Sequence, residues 1–439
     1  MGGLMMALQL IASLSLLVFI HEFGHFIAAK MFKMRVDKFF IFFDAWGTKL
    51  WSKKIGETEY GIGWLPLGGY VKIAGMIDES MDTEKMKAPP QPWEFRSKPA
   101  WQRFIVMIGG IVMNVLLGIV IFAFYLHHYD KDYLPVAAMD KGIYAFEAGE
   151  ELGFKTGDKL LSINGKSPNR FEDYRSMELL FGADVKVERN GQTVDIQLPD
   201  TLFSRKGEDY FVPYNHKIEV LGVLEGSAAD KAKLQKGDYV VGLKDELVEN
   251  FGEMQAKLEL YKNQTVPLDI ERDGKMQTVE VAIDSTGKIG FFPFFNYKAV
   301  NIVKPYSWAE SFKYGIKEGW EAIYFNAKGI GLMFTGKINP VESMQSPIGI
   351  AKFFGSVWNW QRFWRITGLL SFVLAFMNIL PIPALDGGHI LFIIIETLRG
   401  KPLSDKFLER AQIAGMLLLI PLMILIMAKD IWQILKDLF

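Results

Sequence analysis

The chain has 439 residues, half of them hydrophobic and 23% charged, with a formal net charge of -1 and no cysteine. That length leaves room for about three domains. The near-neutral balance gives no reason to expect nucleic-acid binding, and the lack of cysteine excludes disulfides, thiolate metal sites and a cysteine nucleophile. The charges are unevenly placed. Met1–Ile20, Phe104–Leu126, Ile366–Leu385 and Ala411–Ala428 are runs of 20, 23, 20 and 18 residues without Asp, Glu, Lys, Arg or His. A helix needs ~20 mostly apolar residues to cross a bilayer, so four such runs exclude a simple soluble enzyme.

The first run has neither the positively charged start nor the small-residue cleavage pattern of a signal peptide, and it leads directly into His21. A retained transmembrane helix over 1–29 is expected. Its end carries His21-Glu22-Phe23-Gly24-His25. On a helix, residues four apart are rotated by ~400° and share a face. Two imidazoles so placed can grip one zinc ion, with the glutamate beside them as general base.

Segment 30–101 follows, with Lys30, Lys33, Arg35, Lys38, Lys49, Lys53, Lys54 and Lys72 among its basic residues. The connection 386–410 carries Arg399, Lys401, Lys406 and Arg410. The positive-inside rule places both in the cytoplasm and both termini outside. Within the first segment, Tyr60 to Ile73 alternates loosely and is rich in glycine, which suits a hairpin next to the membrane. A second span is expected over 102–126. It contains Asn114, near Gly109 and Gly110, where plain helix packing is one reading.

The long outer stretch contains a repeat. Leu152-Gly153-Phe154-Lys155-Thr156-Gly157-Asp158 is echoed by Leu234-Gln235-Lys236-Gly237-Asp238, and Val187-Glu188-Arg189-Asn190-Gly191 by Ile270-Glu271-Arg272-Asp273-Gly274. Two tandem modules, 127–213 and 214–298, are expected. Their short alternating strands, with Gly-Asp or Asn-Gly turns and a short helix at 227–232, resemble the bacterial type of PDZ domain. Over 299–360 the apolar residues Trp308, Phe312, Ile316, Trp320, Ile323, Ala327, Ile330 and Phe334 recur at helical spacing, behind a capping-box start at Ser307 and Glu310. This helix either packs on a soluble core or lies on the membrane surface.

A third span is expected over 361–385 and a fourth over 411–433, followed by an outer tail 434–439. The third ends in Asn378-Ile379-Leu380-Pro381-Ile382-Pro383-Ala384-Leu385-Asp386-Gly387-Gly388. Its two prolines interrupt helical hydrogen bonding, so a kinked or unwound backbone is expected. Catalytic zinc usually takes three protein ligands, so a third is needed near the depth of His21 and His25. Of the other histidines, His127, His128 and His216 fall on the far side of the bilayer. His389 and Asp386 fall at the right depth.

The two short motifs and the tandem modules together resemble the site-2 protease family of intramembrane metalloproteases, in its regulator-of-sigma-E protease subgroup. The likeness in layout covers essentially the whole chain. It implies a polytopic α-helical membrane protein with four transmembrane helices, a membrane-associated β-loop and two tandem periplasmic PDZ-like α+β domains. It implies Zn2+ held by His21, His25 and Asp386, with Glu22 deprotonating water and later protonating the leaving amine. Asn378 is expected to hold the substrate backbone beside the metal, and His389 is assigned no ligand role. The Gly-rich segment is implied to be a membrane-re-entrant β-loop, with Gly61, Ile62, Gly63 and Trp64 binding substrate. Where relatives often show Gly-Phe-Gly, this chain has Phe43-Asp44-Ala45-Trp46-Gly47.

A substrate helix has its amides tied up in its own hydrogen bonds, so an exposed strand edge that accepts the unwound segment would solve a physical problem. The expected substrates are single-span membrane proteins, such as an anti-sigma factor already trimmed outside, and signal-peptide remnants. The expected location is a bacterial inner membrane, with the lipid bilayer as surroundings and neither nucleic acid nor a small-molecule cofactor as partner. The PDZ-like pair would bind peptide or exclude bulky substrates. An inactive membrane-anchored scaffold and a transporter with broken helices are the competing classes. The intact set His21, Glu22, His25 and Asp386 opposes the first, and the absence of a repeat between membrane halves opposes the second.

Overall fold

The computed structural model describes residues 2–66, 68–76, 89–130, 132–202 and 209–438. Leu67 of the Gly-rich loop and residues 77–88 of the first basic segment lie outside the described residues. The chain divides into two compact units, residues 1–130 with 307–439, and residues 131–306.

In the first unit, helix α1 runs over Gly2–Met31 and α2 over Ala100–His128. At ~1.5 Å per residue each exceeds the ~30 Å hydrocarbon core of a bilayer. With Lys406–Trp432, within the last helix, they are the three helices among the described residues that are long and apolar enough to cross a membrane. Glycines set how closely α1 and α2 approach. A Cβ on Gly24 would sit 2.3 Å from the Gly109 oxygen, and one on Gly109 would sit 2.8 Å from the Gly24 oxygen. The two backbones therefore touch, as small residues permit in helix pairs.

Between these helices lie β1 (Val36–Ile41), β2 (Lys49–Ile55), β3 (Thr58–Gly63) and β4 (Tyr70–Ile73). They form one sheet in the order β2-β3-β1-β4. β1 and β3 are parallel, whereas β2 and β4 are antiparallel to their neighbours. Val36, Phe39, Val71 and Ile73 bury this half of the sheet against Ala28 and Ala29 of α1 and Val106 and Met107 of α2. β2, at the opposite edge, is exposed throughout.

Helix α3 (Trp308–Phe334) starts at the expected capping box, Ser307 with Glu310. Its packing face differs from the one its apolar stripe suggests. Ser311, Gly315 and Gly319 are buried, whereas Trp320 is 69% and Phe334 88% exposed. Trp308 stacks on His127, with ring centroids 3.9 Å apart. A Cβ on Gly315 would lie 2.9 Å from the Ile119 oxygen. The first turns of α3 thus run back along α2 through small residues. The bulky apolar side faces outward, so a soluble core does not bury it.

Helix α4 spans Pro347–Phe354, α5 Trp360–Ile379, α6 Asp386–Arg399 and α7 Asp405–Leu438. The expected third span, 361–385, is helical only to Ile379, because proline disfavours helical backbone in the residue before it and Pro383 removes a further N–H. Leu380 is extended, and Ala384 has a φ of 93°. The segment 386–410, read from sequence as a connecting loop, instead opens with helix α6. Gly387 and Gly388 let its first turn nest on the unwound run. Side chains there would meet the Leu380 and Ile382 oxygens at 2.2 and 2.5 Å. At the other end of α6, Arg103 of α2 pairs with the buried Glu396 at 2.8 Å.

The unit 131–306 has two separate hydrophobic cores, one from Leu134 to Phe211 and one from Ile218 to Ile289. The first contains the sheet of strands Lys159–Ile163, Asp184–Arg189 and Gln192–Gln197. In the second, Tyr239–Leu243 lies between Lys217–Val223 and Thr265–Arg272. The repeated sequence has one physical cause. Asp158 accepts the Lys155 N–H at 2.8 Å and takes both prongs of Arg189 at 2.7 Å, while Arg189 also donates to the Gly153 oxygen. Asp238 does the same with the Gln235 N–H, Arg272 at 2.6 Å and the Lys233 oxygen. Each carboxylate thus ties its Gly-Asp turn to the following hairpin.

Candidate metal centre

His21 and His25 share one face of α1, and Asp386 opens α6. His21 Nε2 is 3.1 Å and His25 Nε2 3.3 Å from Asp386 Oδ2, and the two nitrogens are 3.2 Å apart. Among the described residues this is the one group of three such ligand atoms close enough to share an ion. Ligands ~2.0–2.1 Å from a tetrahedral zinc lie about 3.3–3.4 Å from one another, so the triangle fits. Asp386 Oδ2 is buried and makes no hydrogen bond. A carboxylate oxygen in that position calls for a cation. Two imidazoles and one carboxylate form a donor set that suits zinc and leaves a fourth position.

Helix α2 supports both imidazoles. His25 Nδ1 donates to the Val106 oxygen at 2.8 Å, and Asn114 Nδ2 lies 3.1 Å from His21 Nδ1. Between them, Gly110 leaves room for the rings. A Cβ there would be 2.5 Å from His25 Nε2 and 2.7 Å from His21 Cε1.

A cavity of about 420 Å³ opens on this cluster. Glu22, Asn378 and His389 line it together with the three candidate ligands. Glu22 and Val71 of β4 face the same cavity, and Asn378 Nδ2 is 3.4 Å from His21 Nε2.

The strand expected beside the site is displaced. β3 pairs with β2 on one side and β1 on the other, so Gly61, Ile62 and Gly63 have no open backbone edge. The Trp64 indole donates to the Ala45 oxygen. None of these four residues lines the cavity, whereas Gly68, Gly69 and all of β4 do. Among the described residues β4 pairs with β1 alone, and of the sheet's two edge strands it is the one that lines the cavity. Alternation along 60–73 marks strands but does not say which is outermost, so the sequence held no signal for this. Asp44, in the stretch that departs from Gly-Phe-Gly, accepts from Lys38 Nζ and from the Tyr70 hydroxyl, each at 2.7 Å. It thereby joins the turn after β1 to β4.

Of the remaining histidines, His127 and His128 end α2, and His216 belongs to the other unit. His216 Nδ1 donates to the Pro213 oxygen, and its Nε2 accepts from the Phe251 N–H. Burial holds this imidazole below its ordinary pKa, so it serves there as a neutral strut.

This arrangement, two imidazoles and a carboxylate beside a glutamate on apolar helices, is that of a membrane metalloprotease. The chain matches the model of Peptidase family M50 over residues 9–422 and belongs to that family. It is 28% identical over 456 residues to Protease RseP of Yersinia pestis, covering 96% of this chain and 97% of that one. It is 27% identical over 448 residues to the Regulator of sigma E protease of Haemophilus influenzae, again covering 96% and 97%. A Treponema pallidum protein named for zinc metalloprotease activity is 26% identical over 429 residues, covering 92% and 93%. The protein is a zinc-dependent metalloprotease with membrane-spanning character.

Proposed function

We propose that the protein is an intramembrane endopeptidase that hydrolyses transmembrane segments of single-span membrane proteins, with His21, His25 and Asp386 as the zinc ligands. The observation that carries this reading is the near-equilateral triangle of His21 Nε2, His25 Nε2 and Asp386 Oδ2, with Glu22 beside it on one cavity. Bound there, zinc would polarise the scissile carbonyl and acidify a water. Glu22 takes the proton from the attacking water as the C–O bond forms. It returns that proton to the amide nitrogen as the C–N bond breaks. Asn378 donates its amide N–H groups to the substrate backbone next to the scissile carbonyl. The outer edge of β4 receives the unwound substrate segment as an added strand; this edge replaces 61–64 in that role.

In this reading α5 is a fourth membrane helix, and the basic segments 30–101 and 386–410 are cytoplasmic, which puts the centre near the cytoplasmic face of a bacterial inner membrane. The outward apolar side of α3 meets lipid. The 131–306 unit is a periplasmic PDZ-like pair that screens substrates by the size of their outer domain or by a peptide it binds. A pre-trimmed anti-sigma factor and signal-peptide remnants are the substrate classes. The names Protease RseP and Regulator of sigma E protease of two relatives support the first of these.

The test pairs zinc analysis of purified protein with cleavage of a tagged single-span substrate. Glu22→Gln should retain zinc and lose cleavage by about 10²–10⁴-fold. Full activity in that variant would reject the proton-transfer role.

A further inference from the structure

We infer that Asn114 is a positioning residue for metal binding: its side-chain carbonyl accepts the Nδ1–H of His21 and so leaves His21 Nε2 as the ligand atom. The inference rests on the reading of His21 as a ligand through Nε2.

A neutral imidazole carries one N–H, so a nitrogen that gives its lone pair to a metal needs the proton on the other nitrogen. For His25 the matter is decided by Val106. Its carbonyl can only accept, so the proton is on Nδ1 and Nε2 is available. Among the described residues no such carbonyl hydrogen-bonds the His21 ring. The group 3.1 Å from its Nδ1 is the amide of Asn114, which is fully buried and can turn either its nitrogen or its oxygen to the ring with the same outline.

The two settings have different consequences. With the amide nitrogen toward Nδ1, the imidazole proton must sit on Nε2, facing Asp386, and the Asn114 oxygen is buried with no hydrogen-bond partner. That setting suits a metal-free centre. With the oxygen toward Nδ1, the oxygen is satisfied, the proton is held on Nδ1, and Nε2 is released. That setting suits a loaded centre. Such outer partners orient metal-bound imidazoles and raise their basicity.

The position is also held firmly. Ser371 of α5 donates to the backbone oxygen of Asn114 at 2.7 Å. Val106, Gly110 and Asn114 recur at steps of four on α2, and each meets one or both imidazoles. A residue needed only for packing would call for no amide at this depth, since leucine fills a similar volume.

The full-length protein, purified in detergent and stripped of zinc, is titrated with zinc against a chromophoric chelator. Asn114→Leu, which offers no acceptor, should bind zinc about 10–100-fold more weakly. Asn114→Asp, which offers only acceptor oxygens, should bind at least as tightly as the unsubstituted protein. Loading with cobalt(II) reads the geometry directly. The Asp variant should keep the visible ligand-field bands and the Leu variant should shift or lose them. Unchanged zinc affinity in Asn114→Leu, or an Asp variant as weak as the Leu variant, would overturn the inference. If zinc-free thermal unfolding shows that the Leu variant does not fold, the Asp variant decides alone. His21→Ala separates the two levels. Unchanged affinity there removes the ligand set itself, whereas loss in His21→Ala without loss in Asn114→Leu removes only the role of Asn114.

Discussion

Both units of this protein bury carboxylates, and they satisfy them differently. Asp158 and Asp238 are each 1% exposed, and each receives an arginine fork and a backbone N–H from its own module. Asp386 instead faces two imidazole nitrogens, with one oxygen buried and without a hydrogen bond. A buried carboxylate that the chain satisfies by itself is a structural tie. One that the chain leaves short, facing two imidazole Nε2 atoms, is placed to share an ion with them. The contrast separates scaffold from site without reference to any relative.

The sharpest way to break this contrast is to remove the carboxylates in turn. Asp386→Ala should abolish stoichiometric zinc binding and with it cleavage, as read by metal analysis. Unchanged zinc content would take Asp386 out of the ligand set. The same analysis on Arg272→Ala should show full zinc, because that residue lies in the 131–306 unit.

A smaller effect is expected where the imidazoles are crowded rather than deprived of a partner. Gly110→Ala would put a methyl against both rings and should weaken zinc binding by about 10-fold or more. A chelator competition assay reads this, and tight binding would show that α1 and α2 can part at no cost to the centre.

Arg272→Ala leaves Asp238 buried without its cationic partner, which should destabilise the 131–306 unit by about 3 kcal/mol. Urea unfolding followed by limited proteolysis measures it. The loss should also depend on pH. Burial raises the Asp238 pKa, but Arg272 and the Gln235 N–H outweigh it and hold the group below its ordinary value of 3.8. A depressed folded pKa gives stability that is present above the unfolded value and lost as pH falls through the folded one. The gap between Arg272→Ala and the unsubstituted protein should therefore be full at pH 7 and shrink below about pH 3.8. A gap that stays constant into acid would mean that the arginine acts through packing of its stem.

Local rules carried much of this structure. The shared face of His21 and His25 follows from helical periodicity, the capping box at Ser307 from its spacing, and the break after Ile379 from two prolines. The repeat was visible as Gly-Asp and Glu-Arg pairs, and the structure supplied its cause, one Asp–Arg tie per module. One reading did not carry over, and one had two outcomes. The alternating residues of β3 were assigned to the substrate edge, yet whether a strand is inner or outer depends on which partners arrive on each side. For α3 the stripe left a soluble core and a membrane surface both open, and the structure turns the bulky residues outward while Ser311, Gly315 and Gly319 make the contact. Small residues let two helix backbones approach closely, so a contact can fall on the side of a helix that carries little apolar bulk.

By itself the sequence determined three of the four expected helices long and apolar enough to cross a membrane, the break in the segment before Asp386, and that two imidazoles lie on one face. These depend on residues within a few turns of one another. Tertiary structure decided that Asp386 reaches those imidazoles across 361 residues of chain, that β4 rather than β3 borders the cavity, and that Asn114 meets His21. Such meetings require two backbones to come close enough to touch. Here they do so because glycines at positions 24, 109, 110, 387 and 388 leave the space in which the side chains converge.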